Sequence, residues 1–201
     1  MKIKEIIKES NEDTIENLRN ECSQTIDLMN KTKKEIYHGT SYGYLDIEKI
    51  IPENNRIPKN TPKILNDLIN EYLDEKRIKT NRSNSIFGLK EKDYGYGNEF
   101  YVLFPVNNAN TLWFKDAEDL YISLVGYVEN INNKKIKNIT AYDIDENDFK
   151  KYLDTLKPNT SLKEYFYNDN PDIELLISSP LYLVYTGLFE TTEFKEQIGL
   201  I

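Results

Sequence analysis

Residues 35–40, Glu35-Ile36-Tyr37-His38-Gly39-Thr40, open the strand-forming part of this chain. Glu35 to His38 reads as a short strand, and Gly39-Thr40 as its exit into a loop. His38 is the one histidine among the 201 residues. Far downstream, Pro171-Asp172-Ile173-Glu174 runs directly into the apolar Leu175-Leu176-Ile177. A histidine at one strand end and a carboxylate heading another are both held on rigid mounts. They frame the remaining elements.

Before this first strand the sequence is helical. Asp13-Thr14 offers a cap, and Ile15, Leu18, Cys22, Ile26 and Met29 recur at helical spacing. After it comes the polar stretch 51–60, and then a second helix with Thr61 as cap and Pro62 as its first residue. Ile64, Leu65, Leu68, Ile69, Tyr72 and Leu73 form the apolar face of that helix. The period then shortens. Ser83-Asn84-Ser85-Ile86-Phe87 and Phe100-Tyr101-Val102-Leu103-Phe104 read as strands joined by Tyr94-Gly95-Tyr96-Gly97, and Pro105 ends the second or sets it at an edge.

Leu112-Trp113-Phe114 suggests another strand, followed by a helix from about Asp116. The last third predicts a strand over 139–144, helices over 148–156 and 162–167, and closing strands over 174–178 and 181–185. Ser179-Pro180 suits a hairpin-like connection between those two. This order is α+β, without the alternation of a doubly wound sheet. No G-x-G-x-x-G follows a strand, which argues against a Rossmann dinucleotide site. The expected organisation is an N-terminal helical segment, 1–35, packed on one domain, 36–201.

Composition narrows the function classes. Hydrophobic residues make up 39% and aromatic residues 12%, with fifteen tyrosines against one tryptophan, which fits a packed core with many wet hydroxyls. The net charge of -8 disfavours a passive electrostatic grip on nucleic acid. Cys22 stands alone, so no intramolecular disulfide forms, and one histidine leaves a conventional zinc centre without ligands. No apolar run reaches the length of a membrane span and no secretory apolar region follows Met1, so the expected location is the cytoplasm.

Three pieces, in this order, resemble the ADP-ribosyltransferase superfamily. Tyr37-His38-Gly39-Thr40 is similar to the first motif of the diphtheria-toxin and poly(ADP-ribose) polymerase branch. The Ser83-Asn84-Ser85-Ile86-Phe87 strand is similar to the second motif, and Asp172-Ile173-Glu174 to the one carrying the catalytic glutamate. The stretch from Arg56-Ile57-Pro58 through Arg82 to Tyr101-Val102-Leu103-Phe104-Pro105 looks like phage-encoded members. The resemblance spans roughly residues 36–186. It implies a split mixed or antiparallel sheet, NAD as a substrate with no metal, and a macromolecular acceptor, protein or nucleic acid. A phage or toxin origin would put the protein in a host-cell cytosol. The motif set is a hybrid: His38 replaces the arginine of the branch whose second motif is Ser-Thr-Ser, and Asp172 stands two residues before Glu174. That departure bears on the acceptor more than on NAD.

The residue chemistry fits on its own terms. Cleaving the nicotinamide–ribose bond develops an oxocarbenium-like charge, which a fixed carboxylate such as Glu174 stabilises by about 3–4 kcal/mol. His38 is a candidate for the ribose hydroxyls, and Gly39 and Thr40 for a close backbone approach to nicotinamide. Tyr94, Tyr96 and Tyr101 are candidates for ring stacking. Of the four arginines, Arg56 and Arg82 are candidates for the pyrophosphate, with Ser83 and Ser85 nearby. Asp172 is the candidate for orienting the acceptor.

Each residue also has a plainer reading. His38 would be a hydrogen-bonding residue, Arg82 the partner of a surface acid, Ser83 and Ser85 the outer face of a strand, and Glu174 a solvated strand-end carboxylate. The competing function is a non-catalytic module of the same fold that binds or inhibits a host factor. RNA 2'-phosphotransfer to NAD is disfavoured by the scarcity of arginine and histidine.

Overall fold

In the computed structural model of the chain, residues 3–41, 43–54, 61–92, 97–133, 135 and 138–200 are described, with side chains from residue 12 onward. Two helices, α1 (Ile3–Glu21) and α2 (Ser23–Thr32), lead into strands β1 (Tyr37–Thr40) and β2 (Ile47–Ile50). Helix α3 (Lys63–Glu75) precedes β3 (Ile86–Gly88), β4 (Glu99–Pro105) and β5 (Thr111–Phe114). Then come α4 (Leu120–Ile131), α5 (Glu146–Thr155), β6 (Pro158–Asn159) and α6 (Leu162–Tyr167). Strands β7 (Leu175–Ile177) and β8 (Leu181–Tyr185) follow, and α7 (Thr186–Phe189) and α8 (Thr192–Ile198) come last.

The class is α+β, as composition and order suggest. The strands form two four-stranded sheets, ordered β1-β4-β8-β2 and β3-β7-β5-β6, and every ladder among the described residues is antiparallel. The division follows from a ribbon that changes sheet. Strand β4 pairs with β8 as far as Pro105 opposite Leu181, and pairing resumes with β5 on β7 at Thr111 opposite Ile177. Pro105 and Pro180 stand at the break, where neither can donate to a ladder. Asn110 N donates to Ser179 Oγ at 2.7 Å, and Ser178 N to Asn110 O at 3.0 Å, which clamps the two crossings together. The hairpin expected at Ser179-Pro180 is therefore absent, since β7 and β8 lie in different sheets.

The sheets touch again on the other flank. Tyr37 N donates to Leu89 O at 2.6 Å and Leu89 N to Tyr37 O at 2.9 Å, so β1 borders the end of β3. Gly88 makes this approach possible. A Cβ there would overlap Ile36 Cγ2 and lie 2.9 Å from Leu103 Cδ1.

Strand alternation splits the core in two. Trp113, Leu175 and Ile177 face a cluster built with α2, β4, β8, α6 and the C-terminal helices. Leu112, Phe114 and Leu176 face a second cluster built with α3, α4 and α5. Both faces of the β5–β7 sheet are covered, which explains why its strands are continuously apolar. The N-terminal helices join the first cluster through Leu18, Cys22, Ile26 and Met29. Thr25 Oγ1 donates to Pro105 O at 2.8 Å and ties α2 to the end of β4.

Several local expectations are corrected. Asp13-Thr14 lies inside α1, because no glycine or proline interrupts residues 3–21. Pro62 occupies the cap of α3 and Thr61 precedes it, buried, so no side chain caps that helix. Ser83-Asn84-Ser85 is a turn and not a strand. Asn81 Oδ1 accepts from Ser83 N at 2.8 Å and Asn84 Oδ1 from Asn81 N at 2.9 Å, which satisfies that backbone locally. Residues 139–144 hold a 3-10 turn at Ala141–Asp143, fixed by a reciprocal capping box between Thr140 and Asp143. Helix α4 begins at Leu120, where Asp119 caps Ile122 N at 3.0 Å.

Gly88→Ala is expected to destabilise the fold by about 1–3 kcal/mol through overpacking against Ile36 and Leu103. Urea unfolding of Gly88→Ala, Ile36→Ala and the double variant checks this, with the double variant losing less than the sum. Strict additivity would contradict the close approach.

Candidate functional site

His38 sits in the middle of β1, half-buried, with Tyr101 directly across on β4 and Tyr185 across from Tyr101 on β8. Its Nδ1 lies 2.8 Å from Phe87 O on β3. A carbonyl only accepts, so Nδ1 carries a proton and the imidazole is fixed in orientation across the sheet junction.

Glu174 immediately precedes β7. Its backbone N donates to Glu118 O at 2.9 Å, which ends the strand and fixes the carboxylate's origin. Arg82 Nη1 donates to Glu174 Oε2 at 2.7 Å. The two side chains retain 10% and 14% of their exposure, so this ion pair is largely screened from water. The guanidinium also lies over the Phe87 ring, 4.8 Å from its centroid. His38 thus meets the backbone of Phe87 while Arg82 meets its ring. Two polar side chains meet at this one strand residue, and Glu174 joins them through Arg82.

The pair changes the character of the carboxylate. A buried guanidinium neutralises much of the Glu174 charge, and deleting one partner of such a pair typically costs about 3–5 kcal/mol. Arg82, a candidate for a pyrophosphate or a surface acid in the sequence, is therefore engaged with the candidate glutamate. Ser83 Oγ accepts from Asn66 Nδ2 at 3.1 Å, and Ser85, buried, donates to Asn81 O. Both hydroxyls shape the turn that carries Arg82.

The segment entering β7 is held from below. Tyr165, fully buried, donates its hydroxyl to Ile173 O at 3.0 Å. Burial and then the Glu174 charge push that phenol far above its ordinary value. Asn168 Oδ1 accepts from Asn170 N and Asn170 Oδ1 from Asp172 N, a pair of Asx turns ahead of the carboxylates. Lys90 Nζ donates to Asn168 O at 2.6 Å and Asn170 O at 3.3 Å and lies over the Tyr165 ring. Lys34 shares the same Asn168 carbonyl at 2.9 Å and pairs with Asp169. Asp172 is half-buried and enters no ion pair among the described residues.

The remaining candidates divide clearly. Tyr101 is 2% exposed, with its hydroxyl accepting from Tyr44 N at 2.8 Å and its ring edge-on to Tyr44, so its faces are occupied by protein. Gly39 lies on β1 opposite Phe100, and Thr40 is buried at the strand's end. Gly97, at φ +130°, packs on Thr40, and a Cβ there would lie 2.7 Å from Ser41 N. Arg56, Tyr94 and Tyr96 lie outside the described residues. Phe87 as a platform and Tyr165 and Lys90 as supports left no mark in the residue pattern, because apolar periodicity does not report a ring face, a buried hydroxyl or an ammonium bound to a carbonyl.

Two surface cavities of about 340 and 420 Å³ lie elsewhere, around Gln24, Asn108 and Lys163 and around Arg19, Ser23 and Gly199. Neither is lined by His38, Arg82 or Glu174. Among the described residues no cluster of His, Cys, Asp and Glu is grouped to hold a metal ion, and no helix is long and apolar enough to cross a membrane. No protein-family model matches the chain, and no curated protein or solved structure is significantly similar to it.

Burial, and next the neighbouring Lys34 charge, push the Lys90 ammonium from the usual 10.5 down to about 8, with Asp169 opposing. The unfolded chain therefore binds more protons between about pH 8 and 10.5, so this group adds stability as pH rises through that window. Urea midpoints of the wild type should gain on those of Lys90→Met between pH 8 and 10. A difference that stays constant with pH would contradict the buried ammonium.

Proposed function

We propose that this chain is an NAD-dependent ADP-ribosyltransferase that transfers ADP-ribose to a macromolecule, with a split-sheet catalytic core of the kind its motifs resemble. The observation carrying the reading is the convergence of His38 and the Arg82–Glu174 pair on Phe87, where the two sheets meet. The three pieces of sequence that resemble the family's motifs, otherwise scattered over more than half the chain, fall on β1, on the turn into β3 and at the head of β7.

The reaction would proceed as follows. The nicotinamide–ribose bond breaks, its electron pair leaves with nicotinamide, and the ribose C1′ becomes cationic. Glu174 stabilises that cation and the 2′-hydroxyl beside it. His38, locked by the Phe87 carbonyl, positions the ribose. Asp172, two residues earlier, orients the acceptor nucleophile as it attacks C1′ and accepts the proton that the nucleophile loses. Without an acceptor, water takes that place and NAD is hydrolysed.

A second reading, a non-catalytic binding module of this fold, is favoured by the neutralisation of Glu174. A carboxylate already paired with a buried guanidinium is a poorer stabiliser of a new cation than a bare one. Turnover separates the two.

Glu174→Gln is expected to lower nicotinamide release from NAD by about 10²–10³-fold while circular dichroism and thermal unfolding report a folded chain. Asp172→Asn should reduce labelling of an acceptor from lysate more than it reduces NAD cleavage. Undiminished release by folded Glu174→Gln would remove that residue from the chemistry, and no release by the wild type would favour the binding module.

A further inference from the structure

We propose that the Arg82–Glu174 pair is a latch opened by an anion: a diphosphate entering beside Arg82 takes over its guanidinium and releases the Glu174 carboxylate. The identity of the anion rests on the NAD reading above; the latch itself rests on the geometry of Arg82.

Four observations carry it. Arg82 meets Glu174 through Nη1 alone, with no bidentate contact. Its Nε is buried without a hydrogen-bond partner, a state that is costly in a protein interior. A pair kept only for stability would satisfy that donor. Here the edge formed by Nε and Nη2 has no partner among the described residues, and a forked oxyanion is the ligand that fits such an edge.

The guanidinium is also held independently of Glu174. It rests on the Phe87 ring at 4.8 Å, and its backbone belongs to the Asn81–Ser85 turn, pinned by three side-chain hydrogen bonds from Asn81, Asn84 and Ser85. Arg82 can therefore keep its place when the carboxylate departs. Phe87 is also the residue whose carbonyl orients His38, so an anion at Arg82 would arrive next to the histidine as well.

The consequence is a site whose carboxylate is masked at rest and exposed by its own substrate. Without the anion, Glu174 is neutralised. With it, the guanidinium pairs with the diphosphate, and Glu174 regains the negative charge that Arg82 had compensated, which is what an oxocarbenium needs.

Inorganic pyrophosphate is the probe. Four arginines give few Nε–H resonances, and the Arg82 signal is identified by its loss in Arg82→Lys. The latch predicts that pyrophosphate shifts the Arg82 Nε–H signal of the wild type. It also predicts that folded Glu174→Gln, with no competing carboxylate, binds pyrophosphate about tenfold tighter by calorimetry. An unmoved Arg82 signal at saturating pyrophosphate, or equal or weaker binding by folded Glu174→Gln, would overturn it. The wild-type spectrum decides even if Glu174→Gln does not fold. Nicotinamide release is scored separately: a response at Arg82 without release retires the NAD reading and keeps the latch, and release with an unmoved Arg82 signal does the reverse.

Discussion

Strand β3 approaches β1 closely because Gly88 presents no side chain to Ile36 and Leu103. That contact joins the two sheets on one flank, through the paired hydrogen bonds of Tyr37 and Leu89. On the other flank the sheets are joined by the β4–β5 ribbon crossing beside β7–β8, where Pro105 and Pro180 interrupt the ladder. A larger residue at position 88 would push β3 away, and the His38–Phe87 hydrogen bond would go with it. The packing of one glycine thus sets how closely His38 approaches Phe87 and the ion pair beside it.

That geometry places an ion pair where water is scarce. In such surroundings a carboxylate is either compensated or shifted in its protonation, and the guanidinium of Arg82 compensates Glu174. Much of the surrounding structure serves to hold the backbone beneath these two side chains still. Tyr165 and Lys90 fasten the segment before Glu174, Glu118 fastens its backbone, and the Asn81 turn fastens Arg82. The rigidity matters for chemistry, since preorganised charge acts without further reorganisation as the reaction proceeds.

The long or doubly buried elements were legible in the sequence. Leu175-Leu176-Ile177 and Phe100 to Phe104 are apolar because both of their faces are covered, and α3 announces itself by a full helical face. Four-residue β2 and the two-residue β6 are too short to leave a periodic signal, and α7 and α8 carry only a brief one. Polar segments misled where side chains satisfy the backbone, as at Asn81 to Ser85 and Thr140 to Asp143. His38 and Glu174 stood out as candidates by residue type and setting. Their relation did not, because Arg82 and Glu174 are 92 residues apart and only the folded sheets bring them together.

The protein reports on this site through a single nucleus set, since His38 is its one histidine. Titrating NAD into protein carrying 15N-labelled histidine, and following the His38 ring signals, tests most directly whether the sheet junction is where NAD binds. The account predicts a saturable shift of those signals, with Nδ1 remaining protonated against the Phe87 carbonyl. Ring signals that do not move while calorimetry records NAD binding would put the dinucleotide elsewhere on the molecule and contradict the site.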